Sequence, residues 1–398
     1  MKVVAISASA ALGGSEWSLL DFARRAQSLD IELGVLLPKS GPLEEELKKA
    51  AVPVEIARAP DDLLEMTRSA GAGKMLAATR GLATWSIAIA RTAPKLFPRP
   101  ADASKRQSTD VVWYSNGFKA HLAAALLKGK HVWHLREFPP ARTGLGWKTL
   151  ASAVPSSTIA NSNAVAEAWA LMGWKRPAVV YNGVDLERFR PAGRSGWIHD
   201  SLGIDRSARL IGMPAVLAKW KGQLQVVSAF EKASAELPGV HLVFVGGAIY
   251  DTKSERGFAE ELVRRVRGAS SNGTSLTDRI HFFRHQTEPW RLFPEFDVTV
   301  HFSTRPEPFG RVVAESLASG VPCIAARAGG PMEIIEHGVT GWLVPPGDIG
   351  ALAGAMQHAI AAGSGAMSAA CRASAERRFS ADRYAAEVAA VLRRAAGA

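Results

Sequence analysis

Short apolar runs recur along the chain at 2–7, 31–37, 53–57, 111–115, 131–134, 158–161 and 178–181, and longer stretches with apolar residues at helical spacing separate them. Strand-length runs alternating with helix-length ones predict a parallel sheet covered by helices. A second series follows at 210–213, 241–245, 280–283, 298–301 and 322–326. The polar, Pro- and Gly-containing stretch 188–194 separates the two series, so the pattern predicts two α/β halves, 1–187 and 188–378, with no evident sequence repeat between them. Ligands of open α/β sheets gather at the carboxyl ends of the strands, and a cleft between two such halves is the expected site.

One loop in the second series concentrates the chemistry. Residues 307–315 read EPFGRVVAE, two carboxylates eight positions apart. Pro306 and Pro308 keep Glu307 out of regular helix, Gly310 permits close approach, and 311–319 reads as a helix that Gly320 ends. On that helix Val313 and Leu317 share a buried face and Glu315 lies off it. Amides of Phe309, Gly310 and Arg311 at a helix start suit a diphosphate, and the flanking carboxylates suit the hydroxyls of a sugar and a ribose. Spacing alone favours the plainer reading, a surface loop with one helix-capping Glu and one solvated Glu.

Other loops carry weaker signals of the same kind. Gly13 and Gly14 precede a helical pattern from Trp17, with Ser15 placed to cap it; a bare Gly-Gly turn is also common, and this is no GxGxxG dinucleotide fingerprint. His134 and Arg136 lie at the carboxyl end of one strand, Asn116 and Lys119 after another. Lys219 and Lys221 flank Trp220 before Gly222 at a helix start, a diphosphate clamp or simply exposed lysines. Gly329 and Gly330 precede a further helix, with Pro331 near its first position, and 341–348 reads as a turn-rich close.

Composition narrows the class. The 398 residues carry 48 Lys and Arg against 37 Asp and Glu, a net charge of +11, and the pI is about 9.8. Anionic partners are favoured, but no nucleic-acid-binding signature or regular stacking platform accompanies the charge. Two cysteines, Cys323 and Cys371, offer neither a disulfide framework nor metal-ligand spacing, which fits a reducing, cytoplasmic compartment with no structural metal. The apolar run at 3–6 is too short for a signal peptide, and no run reaches the ~20 apolar residues of a membrane span. Leu63 to Pro100 interleaves apolar helix-length stretches with Arg68, Lys74, Arg80, Arg91, Lys95 and Arg99, followed by Lys105 and Arg106. Such a surface either packs its apolar side on the sheet with the basic side solvated, or lies on an anionic membrane as a peripheral protein.

Taken together, GGSE at 13–16, WHLRE at 133–137, VVYNGVDLERFRP at 179–191, WKGQ at 220–223, RPEPFGRVVAES at 305–316 and GGPMEIIEHGVTGWLVPPGD at 329–348 resemble the retaining GT-B glycosyltransferases of glycosyltransferase family 4. The resemblance spans most of the chain, and the E-x7-E pair in this company is its specific mark. It implies two Rossmann-like domains facing across a cleft, the donor on the second and the acceptor on the first, with a last helix within 379–398 crossing back to the first. It further implies that Glu307 holds donor-sugar hydroxyls, Glu315 the ribose and Lys221 the diphosphate. By the same resemblance Phe309 to Arg311 contact the donor, Gly13 and Gly14 line the cleft, and His134 reaches the transferred sugar. Where many members carry Arg five positions before the lysine, this chain has Val216, and Lys219 is the candidate replacement.

The reaction so implied is metal-independent transfer, with retention, from a UDP-, GDP- or ADP-sugar to a hydroxyl of a glycan, lipid-linked glycan or small molecule. No cofactor is implied, and Asn116, Lys119 and Arg136 fall on the acceptor side. A GT-B phosphorylase, an epimerase or a non-catalytic nucleotide-sugar-binding or membrane-associated protein would use the same cleft.

Overall fold

The computed structural model describes residues 1–65, 72–97, 111–140, 154–247, 257–363 and 365–397. The chain divides into two compact units, Met1–Gly183 with Ala381–Ala398, and Val184–Ser380.

In the first unit seven strands form one parallel sheet: β1 (Lys2–Ser7), β2 (Glu32–Leu37), β3 (Val54–Ile56), β4 (Val112–Asn116), β5 (Lys130–Leu135), β6 (Ser157–Ala160) and β7 (Ala178–Val179), in the order β3-β2-β1-β4-β5-β6-β7. Side chains alternate between faces along a strand, and β1 shows the result. Val3 and Ala5 pack with Leu20, Phe22 and Tyr114 on one face; Val4 and Ile6 pack with Trp85, Ile89 and Ala120 on the other. The first face is covered by the helix Gly14–Ala23 and by the last helix, Ala381–Ala396, which buries Tyr384, Ala385, Val388 and Leu392 at helical spacing.

Six strands of the second unit make another parallel sheet: β8 (Arg209–Pro214), β9 (Val240–Val245), β12 (Ile280–Phe283), β13 (Val298–His301), β14 (Cys323–Ala326) and β15 (Gly341–Val344), ordered β12-β9-β8-β13-β14-β15. A two-residue hairpin, β10 (Ser270–Ser271) with β11 (Thr274–Ser275), stands apart. Its core joins Ile211 and Met213 to Val226, Val227 and Phe230 of the helix Gln223–Ala233, and to Leu352 and Met356 of the helix Ile349–Ala362.

The structure corrects some sequence expectations. The chain enters the second unit at Val184 rather than 188 and leaves it at Ser380 rather than 378, because Val184 pairs with Ser380 in a parallel bridge and donates its amide to the Phe379 carbonyl at 2.7 Å. Residues 341–344, read as turn, form the edge strand β15, where Trp342 and Val344 are buried beside β14. Both cysteines are free and buried, and burial pushes each thiol up to about 12. Among the described residues no helix is long and apolar enough to cross a membrane.

Candidate functional site

Three backbone stitches place Glu307 in the second unit. The strand β13 ends at His301, and the following loop is tied to the short turn Lys219–Lys221 by Thr304, whose amide donates to the Trp220 carbonyl at 2.8 Å. Gly222 closes that turn at φ +80°, where a Cβ would stand 2.0 Å from the Phe302 carbonyl oxygen, so only glycine fits. From the other side Gly329 bridges Glu307, and the Gly330 amide donates to the Glu307 carbonyl at 2.8 Å. A Cβ on Gly329 would fall 2.2 Å from that carbonyl oxygen, which explains the glycine pair noted in the sequence.

These stitches bring four side chains together. Lys221 Nζ lies 2.9 Å from Glu307 Oε1, and Ser303 Oγ donates to Oε2 at 2.8 Å. His301 Nε2 lies 3.7 Å from Oε2 and makes no hydrogen bond. Burial would raise the Glu307 carboxyl, but the Lys221 charge and the hydrogen bonds from Lys221 and Ser303 outweigh it, leaving the pKa lowered. Burial takes His301 down to about 4 despite the neighbouring carboxylate.

The helix Arg311–Ala318 starts at Gly310, with φ +93° and no side-chain cap. Glu315 pairs with Arg311, one turn earlier, at 2.6 Å. The sequence placed Glu315 off the buried face; it is buried nonetheless, because Arg311 folds over it. Phe309 buries its ring edge-on to Phe379, so main chain rather than ring faces the loop. Lys219, expected beside Lys221, instead pairs with Glu261 at 3.0 Å and is half exposed, since residues two apart on a tight turn project to different sides. At Val216 the carbonyl accepts from Gln223 Nε2.

In the first unit β1, β4 and β5 align Ser7, Asn116 and His134 in one row near their carboxyl ends. Arg136 is buried there and donates to Asn116 Oδ1 at 2.8 Å, to Asn182 Oδ1 and to the Tyr384 hydroxyl at 2.8 Å. Asn116 in turn donates to the Ser15 carbonyl. His134, expected at the strand end, is wholly buried within it; Nδ1 bonds the Tyr114 hydroxyl at 2.6 Å, Nε2 makes no hydrogen bond, and burial holds its pKa well down. Lys119 turns to the Leu64 carbonyl, and burial lowers its pKa.

The glycine turn also differs in detail from its expectation. Gly13, not Ser15, is the N-cap of Gly14–Ala23, and the Ser15 hydroxyl donates to Glu16 Oε1 at 2.8 Å. The Glu16 carboxyl folds back so that a Cβ on Gly13 would meet Oε2 at 2.8 Å, whereas Gly14 faces open space. Burial raises the Glu16 pKa against the lowering effects of Ser15 and Arg136.

Sequence reasoning missed His301, Ser303, Glu16, Asn182, Tyr114 and Tyr384 as members of these clusters. His301 closes a predicted strand, and Glu16 and Asn182 lie in quoted motifs, so those three were within reach; Tyr384, on the last helix, carried no signal. Among the described residues no group of three or more His, Cys, Asp or Glu side chains could hold a metal ion.

Two parallel-sheet Rossmann-like units, one with paired glutamates at a loop-to-helix junction beside a lysine, define the GT-B glycosyltransferase architecture. Glycosyltransferase Family 4 matches residues 12–188 and Glycosyl transferases group 1 matches residues 197–378; between them they take in nearly the whole chain, which belongs to this glycosyltransferase family. The crystal structure of Anabaena Alr3699/HepE in complex with UDP and glucose is similar at TM-score 0.79 and 26% identity, covering 98% of this chain and 99% of that one. A sucrose-phosphate synthase from Thermosynechococcus elongatus shares the fold at TM-score 0.74 and 17% identity over 100% of both chains. D-inositol 3-phosphate glycosyltransferase of Mycobacterium tuberculosis is 32% identical over 189 residues, 46% of this chain, and the match spans about a third (35%) of that relative's length.

Proposed function

We propose that the protein transfers a sugar from a nucleotide diphosphate-sugar to a hydroxyl acceptor, with retention of anomeric configuration and without an essential metal. One observation carries the donor assignment: both glutamates of the E-x7-E pair are largely buried, and each is matched by a cation, Lys221 or Arg311. A diphosphate would draw on those cations while the carboxylates accept hydrogen bonds from polyols, Glu307 from the sugar and Glu315 from the ribose. The uncapped helix start at Gly310 adds amides to the same anion site, with Phe309 and Arg311 beside it. Lys221 then stabilises charge developing on the departing diphosphate, the main catalytic contribution.

The first unit supplies the acceptor side through Asn116 and Arg136, and Gly13 and Gly14 are proposed to meet the donor, with His134 in the strand beside Asn116. Lys119 lies at its edge. A glycan or lipid-linked glycan is the proposed acceptor class, and the exposed Arg80, Arg91 and Lys95 support a peripheral location on an anionic membrane face. Arg68, Arg99, Lys105 and Arg106 fall outside the described residues, as does the side chain of Lys74.

UDP-glucose is the first donor to test, since HepE binds UDP and glucose. A thermal-shift panel of UDP-, GDP- and ADP-sugars should give a rise in melting temperature with one base series; no rise with any would overturn the donor assignment. Proton NMR of the product should report the donor's anomeric configuration, and excess EDTA should leave the rate unchanged.

A further inference from the structure

The His301 ring is a buried side chain whose outer nitrogen stops short of Glu307. Its Nε2 has no hydrogen-bond partner, yet Glu307 Oε2 is 3.7 Å away. A buried polar atom without a partner costs free energy that a small shift here would recover. The other charged group facing it is Lys221, from the turn after β8, which holds Glu307 through the opposite oxygen at 2.9 Å. Lys221 is therefore shared: it neutralises Glu307, and its charge disfavours a second cation at His301.

We propose that His301 is a positioning residue that takes over Glu307 when a donor diphosphate draws Lys221 away, so that the carboxylate keeps its orientation toward the sugar. The proposal rests on the donor reading above. A diphosphate carries full negative charge and competes directly for the Lys221 ammonium. As Lys221 turns to it, Glu307 loses its cation while Ser303 still holds Oε2. The nearest remaining donor is Nε2 of His301. Two consequences follow from the charges alone: the imidazole becomes easier to protonate, because a cation has left and a carboxylate has been uncovered, and its N–H closes the gap to Oε2. The proton comes from solvent, and no bond in the substrate changes. His301 touches neither sugar nor phosphate in this scheme; it acts through Glu307.

Such a role explains an otherwise costly arrangement. Burial, aided by the Lys221 charge, keeps His301 neutral, with its pKa taken down to about 4, which lets Lys221 and His301 share one carboxylate without two cations meeting. The hand-over then couples diphosphate recognition to the geometry of sugar recognition, because the same event that fills the anion site fixes Glu307.

The test is NMR of the intact protein labelled with 13C at histidine Cε1, the His301 signal being assigned as the one missing from His301→Gln, with His301→Asn as the alternative if that variant does not fold. UDP is the probe. Addition of saturating UDP should raise the His301 pKa by about one unit or more; a pKa that stays put or falls while UDP binds would overturn the proposal. Should UDP not bind, the donor reading fails first, and Lys221→Ala then tests the inference by itself: removing the cation should raise the His301 pKa without any ligand, and no rise would sink it. In turnover, His301→Leu should lower kcat about tenfold or more with little change in UDP affinity, and His301→Gln, which keeps an N–H donor, should recover most of the loss. Equal loss in both variants would mean that the ring serves packing only.

Discussion

The two units hold their buried charges in different ways. In the second, Glu307 and Glu315 each face one cation across 2.9 and 2.6 Å, Lys221 and Arg311. In the first, the Arg136 guanidinium is gripped by two amide oxygens and a phenol. A carboxylate–cation pair can be exchanged for an anion of similar geometry, because the incoming group replaces what it displaces. Neutral acceptors fixed on three different elements cannot be exchanged so cheaply; releasing Arg136 would strand all of them. The difference teaches that the Glu307–Glu315 loop of the second unit is built to trade partners and the Arg136 cluster of the first to stay put.

The strongest way to break this comparison is Glu307→Ala. The expected outcome is a fall in kcat/KM of about 10²–10³-fold, with a loss of folding stability under about 2 kcal/mol in urea titration. A near-native transfer rate would place the exchanging carboxylate elsewhere. Acid should distinguish the units next. Histidines kept neutral by burial have folded pKa values below their unfolded ones, so the unfolded chain binds more protons and stability drains away as pH falls below about 6.5. For His301, at about 4, the loss is complete near pH 4 and amounts to at most about 3 kcal/mol; for His121 of the first unit, bonded to Ser115 and taken by burial to about 3, it continues further down. Denaturation monitored between pH 7 and 3 should show that slope, and a flat profile would contradict the neutral, buried assignment of both rings.

Arg136→Leu asks whether the first unit's cluster is structural. It should destabilise by about 2–3 kcal/mol, since Asn116, Asn182 and Tyr384 lose a charged donor at once. A stability change near zero would free Arg136 to be an exchanging group after all. The smallest effect is expected from Lys219→Ala. Paired with Glu261 at the surface, Lys219 should contribute less than about threefold to donor KM. A much larger rise would return it to the diphosphate in place of the arginine absent at Val216.

Legibility from the sequence followed physical cause. Strands buried on both faces leave continuous apolar runs, so β1, β8 and β13 were plain, while β15, four residues beside Pro345 and Pro346, was hidden in turn residues. The E-x7-E loop was readable because proline, glycine and carboxylate each force a local geometry. What could not be read were long-range closures: that Gly329 would bridge Glu307, or that Tyr384 would meet Arg136. The direction of Lys219 was hidden for a related reason, since a two-residue spacing says nothing about side-chain direction until the turn type is known.

The chain's return at Ala381 also bears on the order in which the protein is made. One face of the first sheet, carrying Val3, Ala5 and Tyr114, is covered in part by Tyr384, Val388 and Leu392. Those residues leave the ribosome after the whole of the second unit. The second unit, continuous from Val184 to Ser380 and with its two ends joined by a backbone bridge, has all its parts before then. Synthesis should thus complete the second unit before the first, leaving the first with an apolar face exposed until the helix Ala381–Ala396 arrives, the stage at which a nascent chain is most open to aggregation or chaperone capture.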